Sequence, residues 1–180
     1  SRYADDVAKR WNDAGAMIGK ALAVGVVTGV GALVALTKSA INSAEEIGLL
    51  SQKIGISTEA LSALRYQAGL ANVEIGGLQI GMVKFSRSIA EASAGGKQQA
   101  AAFAAMGISI KDVHGNLKPT EELLGEVSKA FASYEDGAEK AALAVELFGK
   151  SGADMIPLLN KGEEGINRAA KEAADYGLIV

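Results

Sequence analysis

Six apolar residues recur at alternating spacings of three and four in the middle of this chain: Ile75, Leu78, Met82, Phe85, Ile89 and Ala92. Side chains at these spacings share one face of an α-helix, as the a and d positions of a heptad do. Gly76, Gly77 and Gly81 weaken this helix by about 1 kcal/mol each, so packing must hold it. The stripe predicts a seam that either closes a helical hairpin within the chain or joins two copies.

The composition also favours helices over strands. Hydrophobic residues make up 49% of the 180 residues, whereas aromatic residues make up only 5%, and alanine is frequent. Alanine has the highest helix propensity but buries little apolar area per residue. We therefore expect an all-α fold of elongated or hairpin-packed helices whose remaining apolar faces are covered by other copies, in a homo-oligomeric bundle.

A glycine-rich apolar run lies near the start of the sequence, at about 15–37. No residue from Ala21 to Thr37 is charged, and as a helix this stretch would measure about 25 Å, slightly short of a bilayer core of about 30 Å. Four of its glycines are spaced in pairs four residues apart, a pattern that lets two helices approach closely: Gly15, Gly19, Gly25 and Gly29. We expect a helix that packs against copies of itself, and membrane insertion remains an open alternative.

Helix start signals divide the rest of the chain. Ser57 is a favourable N-cap, and Thr120 and Asp136 are interpreted as the N-caps of two later helices, the second within a capping box. The helix after Asp136 is expected to turn three residues inward: Ala141, Val145 and Phe148. Between 108 and 118, apolar and polar residues alternate before a Gly-Asn pair, which predicts one small β-hairpin or extended excursion.

Residue types that carry chemistry are sparse. The chain has no cysteine and a single histidine, His114, beside a predicted turn, so no catalytic residues, metal ligands or cofactor-binding residues are predicted. Gly149-Lys150-Ser151 lacks the upstream glycine and strand of a P-loop and is interpreted as a helix stop and restart. The net charge of −3 argues against direct nucleic-acid recognition. We expect no enzyme.

Three ordered phrases carry a family resemblance. They are LSQKIGISTEALSALRYQA (Leu50–Ala68), DVHGNLKPTEELLGEV (Asp112–Val127) and ELFGKSGADMIPLLN (Glu146–Asn160). Together they resemble the helical region of tail tape measure proteins from long-tailed phages and prophages, over roughly 36–164. The chain is accordingly expected to be a fragment of a longer protein, with an N-terminal helical region at 1–50 and a tape-measure-like helical module at 51–180.

The resemblance implies a mechanical role. Such a protein sets tail length inside the tube lumen and is ejected at infection to help DNA cross the host envelope. Its implied partners are copies of itself, in a three-fold arrangement, the tail tube and tail tip proteins, and the host membrane. Its implied location is the virion, in the tail lumen or tip, and the host envelope after ejection. The apolar run motivates one alternative, a membrane-active pore-forming or secreted toxin-like protein.

Overall fold

A computed structural model of the chain describes residues 45–175, and the described part is all-α. Its α-helices are α1 (45–54), α2 (Thr58–Leu70), α3 (Ile75–Ser93), α4 (Lys97–Ala105), α5 (Thr120–Ser133), α6 (Ala138–Phe148), α7 (Gly152–Leu159) and α8 (Gly162–Asp175). A 3-10 turn at Gly149–Ser151 joins α6 to α7. We call residues 45–175 the helical module. The glycine-rich run lies outside these residues.

Helix α3 is the centre of the module, since α2, α4, α6 and α7 all pack against it. Its predicted stripe faces this core. Phe85 stacks on Phe148 of α6 with ring centroids 4.7 Å apart, and Phe103 of α4 lies 6.2 Å from Phe85. The hydroxyl of Ser88 is buried and donates a hydrogen bond of 3.0 Å to the carbonyl of Leu147. Packing thus holds this glycine-containing helix.

Of the three predicted N-caps, the structure confirms one. Ser57 is the N-cap of α2, and its hydroxyl accepts a hydrogen bond from the amide of Ala60. Thr120 is not a cap, because α5 already includes it and Pro119 occupies the cap position with no side-chain hydrogen bond. The capping box at Asp136 is also wrong. Gly137 precedes α6, and the Asp136 carboxylate instead accepts a hydrogen bond from Lys140.

The buried face of α6 is rotated from the predicted one. Ala144, Leu147 and Phe148 are buried, whereas Val145 is 44% exposed, so the expectation that Val145 points inward is wrong. Gly152 explains the rotation. A Cβ at this position would overlap the carbonyl of Ala144, so α7 approaches the backbone of α6 directly along this face.

The segment between α4 and α5 does not form the predicted hairpin of strands. One isolated antiparallel bridge joins Lys111 to Leu117, and residues 45–175 contain no β-strand. The amide of Asp112 donates to the carbonyl of Asn116, but the Asp112 side chain accepts from the amides of His114 and Asn116. A side chain that satisfies these amides favours a closed turn over a longer ladder.

Helices α7 and α8 complete the packing of the module. Helix α8 packs on α2 and α5, and α7 lies against α5, α6 and α3. Within the described residues, none of the helices is both long and apolar enough to cross a membrane.

Candidate functional site: the helical module and its exposed loop

The residues predicted for packing fall in two places. Gly15, Gly19, Gly25 and Gly29 lie outside the described residues. Leu78, Met82, Phe85 and Ile89 are all buried within the core of this one chain, and Ile75 is half-buried at its edge. Helix packing within one chain, which was one of the two alternatives for the seam, accounts for this burial without a second copy.

The three sequence phrases converge in the folded module. The first phrase meets the second where the amide of Ser57 donates to the carboxylate of Glu121 over 2.5 Å. A Cβ at Gly55 would lie 3.5 Å from the hydroxyl of Thr120. The third phrase includes all of α7, which packs on both α2 and α5. Segments far apart in sequence therefore build one packed unit.

The loop between α4 and α5 presents an apolar tip. Val113 is 96% exposed. The loop is nevertheless ordered by Asp112, whose carboxylate accepts hydrogen bonds of 2.9 and 2.8 Å from the amides of His114 and Asn116. These bonds, the one from the Asn116 amide above all, hold the pKa of Asp112 below its ordinary value. The positive φ of Gly115 closes the turn.

A buried lysine joins the end of α5 to the start of α6. Lys140 is only 3% exposed, and its ammonium donates to the carbonyl of Tyr134 and to the carboxylate of Asp136, at 2.9 and 2.8 Å. Asn160 donates a second hydrogen bond to this carboxylate. The hydrogen bond from Lys140, then that from Asn160, lowers the pKa of Asp136. We call these three side chains the polar bracket.

Sequence reasoning missed the polar bracket. The available signal was the spacing of Asp136 and Lys140, which are four residues apart. Acidic and basic residues at this spacing often pair on a helix. The capping-box interpretation assigned Asp136 to a different partner. Nothing in the local sequence indicated that Asn160, 24 residues further on, would complete the group.

Across 45–175, no three histidine or acidic side chains lie together in a way that could hold a metal ion. His114 is exposed on the loop. Gly149, Lys150 and Ser151 form the 3-10 turn, and the positive φ of Gly149 suits its expected role at the end of α6. A cavity of about 190 Å³ lies between α2 and α8, lined in part by Gln67, Arg168 and Glu172.

Comparison with known proteins identifies the class. The family described as phage-related minor tail protein matches residues 35–149. This match covers more than half of the chain and includes the seam helix, the loop and the phrases that meet at Ser57 and Glu121. The chain therefore belongs to the phage-related minor tail protein family, a structural class of the phage virion. Neither a curated protein nor a solved structure matches it.

Proposed function

We propose that this chain is part of a tape measure protein, the ruler of a long phage tail. The protein lies in the lumen of the tail tube, tube protein polymerises around it, and assembly stops at the end of the ruler. At infection the ruler leaves the tail and helps DNA cross the host envelope. The observation that carries this proposal is the set of ordered phrases, which lie in or beside the region matched by the tail protein family.

The structure supports the proposal by giving the phrases a common role. Leu61 and Leu64 of the first phrase, Leu123 and Val127 of the second, and Met155 of the third are all buried in one hydrophobic core. The phrases are therefore signatures of a particular helical packing rather than of a reactive site. A protein that acts through length and folding needs such a scaffold, and the role that we propose involves no bond made or broken.

The proposed partners are other copies of the chain and proteins of the tail tube and tip. The described surface best suited to a tail partner is the loop tip, because Val113 is apolar, exposed and held by an ordered turn. We expect Val113→Asp to fold normally and to enter fewer assembled tails. Val145→Asp, at an exposed apolar position on α6, serves as the matched control. Equal incorporation of the two variants would remove the loop from the proposal.

The host membrane is a further proposed partner, through the glycine-rich run at 15–37. Release of a trapped dye from liposomes measures this activity directly. We expect the 180-residue chain to release the dye and a chain that begins at 45 to release none. No release by the longer chain at any ratio of protein to lipid would contradict membrane insertion.

An in-frame deletion of residues 47–175 from the gene tests the ruler. If fully helical, the deleted residues would span about 190 Å at 1.5 Å per residue, whereas a compact domain of this size is only about 40 Å across. We expect shorter tails that keep a sharp length distribution. The decrease in tail length should lie between the length of the compact domain and that of the fully helical segment. Tail length is measured by electron microscopy of purified particles. Unchanged length combined with lost infectivity would contradict the ruler and move the module to the ejection step.

A further inference from the structure

Helix α8 lies in a groove between α2 and α5 that is lined by small residues of α5. A Cβ at Gly125 would lie 3.4 Å from the Glu163 side chain, and a Cβ at Gly162 would lie 3.4 Å from that of Ala132. On the α2 side, the amide of Gln67 donates to the backbone carbonyls of Gly165 and Ile166 at 2.9 and 2.5 Å. These contacts select one helix in one register.

The sequence of α8 offers few large apolar side chains for its attachment. Ile166 packs against the core and is the only apolar residue of this helix larger than alanine. The pocket between α2 and α8 opens to the surface beside this interface. The side-chain oxygen of Gln67 and the hydroxyl of Ser128 are buried without a hydrogen-bond partner. Water would satisfy both groups if α8 left the groove, and this gain offsets part of the free energy lost with the broken contacts.

The connection to α8 is a short hinge. Helix α7 ends at Leu159, and the next residue, Asn160, keeps a right-handed helical conformation with φ −64°. The chain then reverses at Gly162, whose φ is +67°. A right-handed conformation at Gly162 would let α7 run towards α8 as one longer helix. Short hinges of this kind favour exchange of an element between copies.

We propose that α8 is exchanged between two copies of this chain, so that the α8 of each copy fills the groove of the other. The occupant is a second copy because its α8 offers the same backbone carbonyls to the Gln67 amide and the same Ile166 side chain to the core. Exchange remakes every contact of the closed module and changes only the hinge. This interface is independent of the ruler role and of the seam on α3.

Cross-linking of single-cysteine chains tests the exchange, since the natural chain has no cysteine. Leu70 and Arg168 line the same cavity from α2 and α8. A mixture of the Leu70→Cys chain and the Arg168→Cys chain, treated with a short bis-maleimide, is expected to give a cross-linked heterodimer. The double variant reports the same pair within one chain and shows that the positions are within reach.

The matched control uses a pair that does not cross the hinge. The side chains of Gln99 on α4 and Glu146 on α6 are 3.3 Å apart. A mixture of Gln99→Cys and Glu146→Cys chains is expected to give no heterodimer, because these helices remain in their own copy. Equal yields from both mixtures indicate general association and would overturn the proposal, as would the absence of any Leu70–Arg168 product between chains.

Substitution at the hinge gives a second, independent test. Gly162→Ala disfavours the positive φ and favours a continuous helix. We therefore expect the ratio of exchanged product to closed module to rise about tenfold over that of the natural chain. Gly95→Ala is the control, since Gly95 also has a positive φ and no atom lies within 4 Å of its added Cβ. It is expected to leave the heterodimer yield unchanged. If Gly162→Ala does not fold, the cysteine mixtures with the natural hinge decide the question alone.

Discussion

The polar bracket ties the end of α5 to the start of α6. Lys140 is buried, and its ammonium is satisfied by the carbonyl of Tyr134 and the carboxylate of Asp136. A buried ammonium is stable only when such partners are in place. The bracket therefore fixes the path of the chain between the two helices, and Asn160 extends it to the end of α7.

Replacement of the buried lysine tests this role. Lys140→Ala leaves the carbonyl of Tyr134 without its donor and removes the packed aliphatic stem, so the free energy of unfolding falls by about 1–3 kcal/mol. Lys129→Ala, at an exposed position on α5, changes it by less than about 0.5 kcal/mol. Urea denaturation followed by circular dichroism measures both. Similar losses in the two variants would contradict a structural role for the bracket.

The pH dependence of stability tests the carboxylate of the bracket. The pKa of Asp136 is lowered from its ordinary value of 3.8, so the folded state favours the ionised form. Its stabilising contribution is fully present above pH values near 4 and is lost as pH falls through the lowered pKa. Unfolding midpoints of the natural chain and of Asp136→Asn should therefore differ at neutral pH and converge in acid. A difference that grows as the pH falls from neutral into acid would contradict this assignment.

At the scale of elements, close approach through glycine positions α7 in the module. The backbone of Gly152 lies against the carbonyl of Ala144, and Gly81 of α3 lies against the side chain of Met155. Helices without a Cβ at the contact can pack closer than the usual 8–10 Å between axes. The two contacts place the third phrase of the sequence against both neighbouring helices.

The glycine contact gives a prediction with a matched control. Gly152→Ala forces a Cβ into the backbone of α6, which cannot move as a flexible side chain does, so stability falls by about 1–3 kcal/mol. Gly48→Ala, on α1 with no atom within 4 Å of the added Cβ, is neutral or stabilising by up to about 1 kcal/mol. Thermal unfolding compares the two. A neutral Gly152→Ala would show that the helices are not in such close contact.

The helices were predictable from local patterns, whereas the excursion at 108–118, the buried faces and the caps were not. The seam spacing correctly placed a helix over Ile75–Ser93, and Ser57 was correctly assigned as the N-cap of the preceding helix, α2. Val145 was assigned to the wrong face because Ala141, Val145 and Phe148 form a helical stripe as regular as the one that the structure buries. Asp136 failed as a cap because Lys140 competes for its carboxylate, and no pattern within one helix reveals that competition.

At the scale of the whole molecule, the described helices pack as a unit and do not form one extended rod. The longest of them, α3, has 19 residues and measures about 28 Å. The sequence predicted the all-α class from composition and helical periodicity, and its ordered phrases predicted a phage tail protein. It left open whether the α3 seam closes within the chain, because hairpin and oligomer bury the same residues.

A tandem duplication of residues 47–175 in the full-length gene tests the ruler most directly. The ruler account predicts longer tails that keep a sharp length distribution, with an increment equal to the loss produced by deletion of the same residues. Because the module is packed, the increment should be below 1.5 Å per added residue. Electron microscopy of purified tails measures it. Tails of unchanged length that incorporate the duplicated protein would contradict the account.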